Sequence, residues 1–311
     1  VSGRTVAEAA VNPVPYAHFA TNAGSAAVAQ QYGTPDCPVG YRRVEESGFP
    51  TAGRLCQRLS ASGAVADVVV RVGDGASAFW IDRYEASVWS DLDGTRATTL
   101  ADGRTVPWGE GTRFDDYPPS FPKNGQWTVP LFAVSRPNVA PSSNITWFQA
   151  AAACRGSGKR LPTGEEWLIA ARGTRDPGES DGSGGTCVTA GSGPRVSSVS
   201  PRCASALGAE DMIGNLSEWT MEWHAGLGGG LLMNGPLARW PDAQYNQDTT
   251  NNIASSSRAG STEGSRTWVP AGSVRGGNWL SGTGAGIFHA DFAFGTSAWE
   301  SAIGFRCVIP R

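Results

Sequence analysis

Apolar residues along this 311-residue chain gather in short blocks rather than in long periodic runs. Val68-Val69-Val70-Arg71-Val72 and Ala78-Phe79-Trp80-Ile81-Asp82-Arg83-Tyr84-Glu85 predict two strands, with Gly73-Asp74-Gly75 as the turn between them. Trp147, Ala150, Ala151 and Cys154 recur at i, i+3, i+4 and i+7, which gives a helix one apolar face, and Gly156 and Gly158 stop it. A second helix is predicted from Thr163, where Glu166 completes a capping box, each side chain satisfying a free amide at the helix start. Trp167, Ile169, Ala170 and Ala171 supply its buried surface and Gly173 ends it. From Val274 to Val308 short apolar segments alternate with glycine, as strands and hairpins do. Residues 90–145, rich in Pro, Gly and Asp, read as long surface loops, and 173–205 as a Gly/Ser/Asp-rich loop. Residues 1–36 show no period and few charges; they read as an ordered N-terminal arm, docking on a neighbouring copy in a homo-oligomer or filament.

Composition narrows the class. Hydrophobic residues make up 40% of the chain, and 12 Trp and 11 Phe can fill a sizeable core. Only 17% is charged, while 41 Gly and 20 Pro favour a loop-rich α+β or β protein over a helical bundle. A net charge of −3 argues against a nucleic-acid or anionic-membrane surface, which needs clustered Lys and Arg. No apolar run approaches the roughly 18 residues that cross a bilayer. The first residue is Val1, so the expectation is a secreted protein whose signal peptide has been removed. Six cysteines suit three disulfides in an oxidising compartment, with buried free thiols in a cytosolic protein as the alternative. Local spacing suggests Cys37–Cys56 and Cys187–Cys203.

Familiar catalytic patterns are missing. His18, His224 and His289 are isolated, and no HxxH or HExxH places two imidazoles on one helix face for zinc. Gly178-Glu179-Ser180-Asp181-Gly182 fits G-x-S-x-G, yet that motif needs a strand before it and a helix after it, and here it sits in a polar loop.

Four blocks in order carry a resemblance: Gly158-Lys159-Arg160-Leu161-Pro162-Thr163, Asp211-Met212-Ile213-Gly214-Asn215-Leu216-Ser217-Glu218-Trp219, Val274-Arg275-Gly276-Gly277-Asn278-Trp279 and Ile303-Gly304-Phe305-Arg306-Cys307. With Phe79–Ser87 as an opening strand, the chain from about Cys37 to Cys307 resembles the formylglycine-generating-enzyme (sulfatase-modifying factor) family. The resemblance implies a single loop-rich, disulfide-stapled α+β domain over 37–311, a variant of the C-type lectin fold. It also implies a third bridge, Cys154–Cys307. Where the family's enzymes carry two reactive cysteines, this chain has Ser281 and Gly286. A hydroxyl is a poor ligand for a soft metal and glycine has no side chain, so no catalytic residue and no copper are expected. The family's calcium loop maps onto Asp211 and Glu218 as carboxylates and Gly214 and Leu216 as carbonyls, a hard-oxygen set suited to Ca²⁺, with Asn215 bracing the loop. The family's other calcium site has no match in 173–205. Trp219 is expected in the core, while Trp279 and Trp299 lie where the fold exposes its recognition surface.

The last segment also resembles the variable region of retroelement-diversified lectin-fold proteins, in which RGG and IGFRC are framework. That match implies display positions at Asn278, Trp279, Leu280, Gly284, His289, Asp291, Phe292, Trp299, Glu300 and Ser301. Aromatic anchors among polar groups suit protein or carbohydrate contact better than catalysis. The expected function is therefore a secreted, calcium-stabilised, non-catalytic binding, surface-display or adhesion protein, or a subunit of an extracellular assembly. The alternative is an enzyme of the same superfamily with altered chemistry. A deep pocket of convergent polar groups near Ser281 and Gly286 would favour the enzyme, and a flat or covered face would favour binding.

Overall fold

The computed structural model describes residues 37–44, 54–89, 91–93, 130–224, 271–296 and 298–309, with short strands at 97–99, 105–107, 238–239 and 249–251. The arm at 1–36, His18, Trp240 and Trp268 lie outside the described residues. In chain order the strands are β1 (Arg42–Arg43), β2 (Leu55–Leu59), β3 (Val65–Val72), β4 (Phe79–Asp82), β5 (Ser87–Trp89), β6 (Ala97–Thr99), β7 (Thr105–Pro107) and β8 (Phe132–Val134). Helices α1 (Trp147–Gly156) and α2 (Gly164–Ala171) follow. Then come β9 (Ser217–His224), β10 (Ala238–Arg239), β11 (Thr249–Asn251), β12 (Ala271–Gly276), β13 (Gly286–Gly295), β14 (Ile303–Phe305) and β15 (Val308–Ile309).

Two larger sheets organise these elements, one ordered β1-β2-β3-β4-β15 and the other β10-β11-β13-β12-β9-β14. β3 is buried on both faces, which explains its unbroken valine run in place of alternation. Val68, Val70 and Val72 meet Trp167, Ala170 and Ala171 of α2 in one apolar cluster, which also takes in Leu55, Phe79 and Ile81. Helix α1 sends Ala150, Ala153 and Cys154 into a second cluster with Trp89, Val134, Trp219 and Phe305. Both helices start as their sequences direct. Thr163 Oγ1 accepts from the Glu166 amide at 3.1 Å, and Glu166 Oε2 accepts from the Thr163 amide at 2.8 Å. Thr146 and Gln149 form a second such box at the head of α1, a signal the hydrophobic pattern alone does not bring out.

The chain's late strands complete its early sheet. Val308 pairs with Ile81 and Ile309 with Trp80, while β14 runs parallel to β9 in the other sheet. Asp82 reinforces the junction: its amide donates to the Cys307 carbonyl, and its Oδ2 accepts from the Cys307 amide, both at 2.8 Å. All six cysteines are bridged, as Cys37–Cys56, Cys154–Cys307 and Cys187–Cys203. Beneath the junction, Lys159 Nζ lies 2.5 Å from both Asp67 Oδ2 and Asp82 Oδ1, all three side chains buried. Burial would lower the Lys159 pKa, but the two carboxylates outweigh it and raise it, so the ammonium stays charged.

One reading changes. Of the expected surface loops over 90–145, the described part from Leu131 to Ile145 is largely buried, because β8 pairs with β5 and Ser142, Ser143 and Asn144 pass through the interior. β4 also ends at Asp82, where its amide turns to Cys307.

Loop length predicts which staple matters most. The Cys154–Cys307 bridge closes 153 residues of separation and Cys37–Cys56 only 19. Replacing the first pair by alanine should cost about 5 kcal/mol and the second about 3 kcal/mol, from unfolded-chain entropy. Urea unfolding of the two double variants checks the order.

Candidate functional site

The loop from Asp211 to Glu218 is built on left-handed backbone. Asp211, Gly214 and Asn215 have φ of 56°, 74° and 53°. A Cβ on Gly214 would fall 2.1 Å from the Val188 carbonyl oxygen, so only glycine fits there. Asn215 is the brace the sequence suggests: its Oδ1 accepts from the Arg195 amide at 2.7 Å, and its Nδ2 donates to the Glu85 carboxylate. Glu85 Oε1 also accepts from the Leu216 amide at 2.9 Å.

The carboxylates of this loop have partners other than a metal. Glu218 receives Arg306 on both oxygens, Nε at 2.7 Å and NH2 at 2.6 Å, and Trp167 Nε1 adds a third bond at 2.7 Å. Asp211 differs, because its Oδ1 is buried without a hydrogen-bond partner. Burial and then the neighbouring Glu210 push the Asp211 carboxyl up to about 8. Burial, Asp211 and Glu218 together raise Glu85 well above the usual range. Among the described residues no group of three or more His, Cys, Asp or Glu side chains converges as a metal would require. Calcium takes six to eight oxygens. Of the expected set Asp211, Gly214, Leu216 and Glu218, Glu218 is held by Arg306 and Asp211 Oδ1 is left without a hydrogen-bond partner.

Ser281 and Gly286, at the positions of the family's reactive cysteines, frame a second site. Ser281 sits in the tight turn between β12 and β13, and its Oγ accepts from the Asn278 amide at 2.9 Å. Asn278 is fixed in turn, Oδ1 accepting from the Leu280 amide at 2.9 Å and Nδ2 donating to Ser217 Oγ at 3.1 Å. Gly277, at φ 74°, allows the turn to close: a Cβ there would lie 2.7 Å from the Ala285 Cα. Gly286 pairs with Gly276 at the start of β13.

Beside this turn opens a cleft of about 520 Å³. Asn278, Leu280, Ser281, His289, Asp291 and Glu300 all reach it. His289 and Asp291 alternate onto one side of β13, as pleating requires. Phe294 has the wrong parity for that side, yet it lines the same cleft. Its position follows from the register: β13 advances three residues from Asp291 to Phe294 while β12 advances two, from Val274 to Gly272. That one-residue bulge turns Phe294 onto the Asp291 side. Ser217, Ala302 and Ile303 complete the lining, with Ile303 beside Ser217 in the β14–β9 pair. These residues lay outside the expected set, and the bulge has no local sequence mark.

The ten expected display positions therefore divide. Asn278, Leu280, His289, Asp291 and Glu300 share the cleft, while Gly284, Ser301 and the half-buried Trp279, Phe292 and Trp299 are outside its lining. Leu280 is 64% exposed, but His289 and Asp291 are only 6% and 3% exposed, so they line a recess instead of being displayed. His289 Nδ1 pairs with the Gly284 carbonyl at 2.8 Å. Trp219 is fully buried, as expected of a core residue.

The family model for the sulfatase-modifying factor enzyme 1-like domain matches residues 76–311. The chain belongs to that family. Its fold is α+β, loop-rich and stapled by three disulfides. Among solved structures it is similar to the Major Tropism Determinant U1 variant, 20% identical over 77% of this chain and 51% of that one, with a TM-score of 0.39. It is also similar to CarF, 18% identical over 77% and 89% of the two chains with a TM-score of 0.40. The variable protein 1 of Treponema denticola is 13% identical over 86% and 91%, with a TM-score of 0.41. The chain spans about half the length of the Major Tropism Determinant chain. Comparison with curated protein sequences returns no match.

The buried Asp211 carboxyl makes stability pH-dependent. A carboxyl whose folded pKa lies above its unfolded value near 4 stabilises the fold at low pH, and that contribution fades as pH rises toward the folded value. With Asp211 at about 8, the loss runs from about pH 4 to about pH 8. Asp211→Asn keeps the shape and tolerates left-handed backbone. It should flatten the fall in Tm across that window, by thermal unfolding in chelator; an unchanged slope would count against Asp211. Glu218→Gln should cost about 3–5 kcal/mol by leaving Arg306 uncompensated, and chelator should leave the wild-type Tm unmoved.

Proposed function

We propose that this member of the family is a secreted, non-catalytic recognition protein that takes a protein or carbohydrate ligand at the cleft beside the 278–284 turn. One observation carries the reading: every cysteine is committed to a disulfide, and the positions of the family's reactive pair hold Ser281 and Gly286. No thiolate is left for a soft metal or for oxidation of a substrate thiol. Three disulfides suit an oxidising compartment, and no described helix is long and apolar enough to cross a membrane.

The concave shape and the company of Ser281, His289 and Asp291 favour a second reading, a hydrolytic enzyme. Two bonds speak against it: Ser281 Oγ is turned onto its own loop at the Asn278 amide, and His289 Nδ1 is held by the Gly284 carbonyl.

The test pairs copper affinity with turnover. In competition with a chromophoric copper(I) chelator, the protein should leave the metal with the chelator. A cysteine peptide incubated with protein, copper and oxygen should keep its mass. Conversion of that cysteine to an aldehyde, captured by an aminooxy probe, would overturn the reading.

A further inference from the structure

Under the sheet junction the Lys159 ammonium stands between two carboxyl groups in a site closed to water. Its side chain is 1% exposed, and those of Asp67 and Asp82 are 1% and 0% exposed. The three come from separate elements: Asp67 from β3, Asp82 from the end of β4 and Lys159 from the turn after α1. Nζ lies 2.5 Å from Asp67 Oδ2 and 2.5 Å from Asp82 Oδ1. The carboxyl carbon of Asp82 is therefore one bond beyond an atom that the nitrogen already touches. A folded core that holds a nucleophile against an electrophile replaces their chance encounter in solution.

The two acids differ in what surrounds them. Asp82 Oδ2 accepts from the Cys307 amide at 2.8 Å, a donor placed where negative charge gathers when the carboxyl carbon is attacked. Burial, with the Asp67 charge adding to it and Lys159 opposing, pushes the Asp82 carboxyl up to about 7, so its protonated, electrophilic form is populated near neutral pH. Asp67 is aimed at the nitrogen by two other donors: Oδ1 accepts from the Ser135 amide at 2.6 Å, and Oδ2 from the Tyr41 hydroxyl. Burial raises the Tyr41 pKa, so that hydroxyl stays a donor. Asp67 is thus placed to take a proton from Nζ, and Asp82 to receive its lone pair.

We propose that Lys159 and Asp82 condense into an amide bond, an internal cross-link between the turn after α1 and the end of β4. Lys159 enters as the charged ammonium and passes one proton to Asp67, which leaves an amine. Nζ attacks the carboxyl carbon of protonated Asp82; the C–N bond forms while the Cys307 amide holds the charge on Oδ2. The C–Oδ1 bond then breaks, and Oδ1 leaves as water with its own hydrogen and one from the nitrogen. Asp67 keeps the first proton, and no oxidant or co-reactant takes part. In the product, Oδ2 is the amide oxygen and still accepts from Cys307, while the amide N–H faces Asp67, so the buried polar groups remain paired. The bond joins residues 77 apart and does not depend on the recognition reading.

Intact-mass measurement of the purified, denatured full chain reads the bond directly. The mass should lie one water below that of the sequence with its three disulfides. After reduction, alkylation and trypsin, residues 72–83 and 156–160 should run as one branched peptide, because trypsin does not cut after an acylated lysine. Lys159→Arg, which keeps a cation between the acids, should restore the uncondensed mass. Asp67→Asn, which removes the proton acceptor, should slow condensation about a hundredfold and leave freshly made chain uncondensed. A wild-type chain at the uncondensed mass would overturn the proposal whatever the variants do. So would a missing water that maps to Asp74-Gly75 or Asp181-Gly182, where a succinimide ring loses the same mass without joining two peptides. Neither result touches recognition, which falls only with the aldehyde assay above.

Discussion

One buried guanidinium ties the separate parts of this domain together. Arg306 lies in the short break between β14 and β15, fully enclosed, and reaches three segments at once. It grips Glu218 of β9 with two bonds, the carbonyls of Asp82 and Arg83 at 3.1 and 3.2 Å, and the Glu210 carbonyl at 2.8 Å. Burying an ion pair costs several kcal/mol per charge, repaid only when geometry is good and the remaining protons are satisfied. Here they are. That demand fixes β9, the end of β4 and the loop before β9 relative to one another, and so sets the frame on which both candidate sites stand.

The same guanidinium organises the acidic loop. Three carboxylates, Glu85, Asp211 and Glu218, surround Arg306, and Glu210 is matched separately by Arg83. Glu218 is satisfied in full. Burial first, and then the neighbouring carboxylates, raises the carboxyls of Glu85 and Asp211. An internal cation holds both oxygens of Glu218.

Local signals were the legible ones. The Thr163/Glu166 cap, the glycine turn after β3 and the short-range cysteine pairs depend on neighbours in sequence, and they stand where the chain marks them. Family blocks carried the long-range bridge Cys154–Cys307 and the fold. What stayed hidden depends on distant pairing. Glu218 meets Arg306 across 88 residues, and the buried run at 142–145 is polar enough to pass for surface until Ser142 is seen pairing with Ala86 and Val88. The cleft needed a bulge at 291–294 that no residue type announces. Its rigidity, by contrast, is written in the turn itself, where Gly277, Asn278 and Ser281 interlock and Thr189 and Asn215 buttress them from behind. A recess held this firmly loses little freedom when it is filled.

Pairing of β15 with β4 has a consequence for biosynthesis. The partner that completes the early sheet is encoded some 220 residues after it, so a nascent chain emerging from the ribosome or a translocation pore carries the flank of β4 uncovered until 303–309 appear. Cys154 likewise waits, unbridged, for its mate. Folding factors and an oxidase acting late, on a nearly finished polypeptide, are what such an architecture demands of the cell.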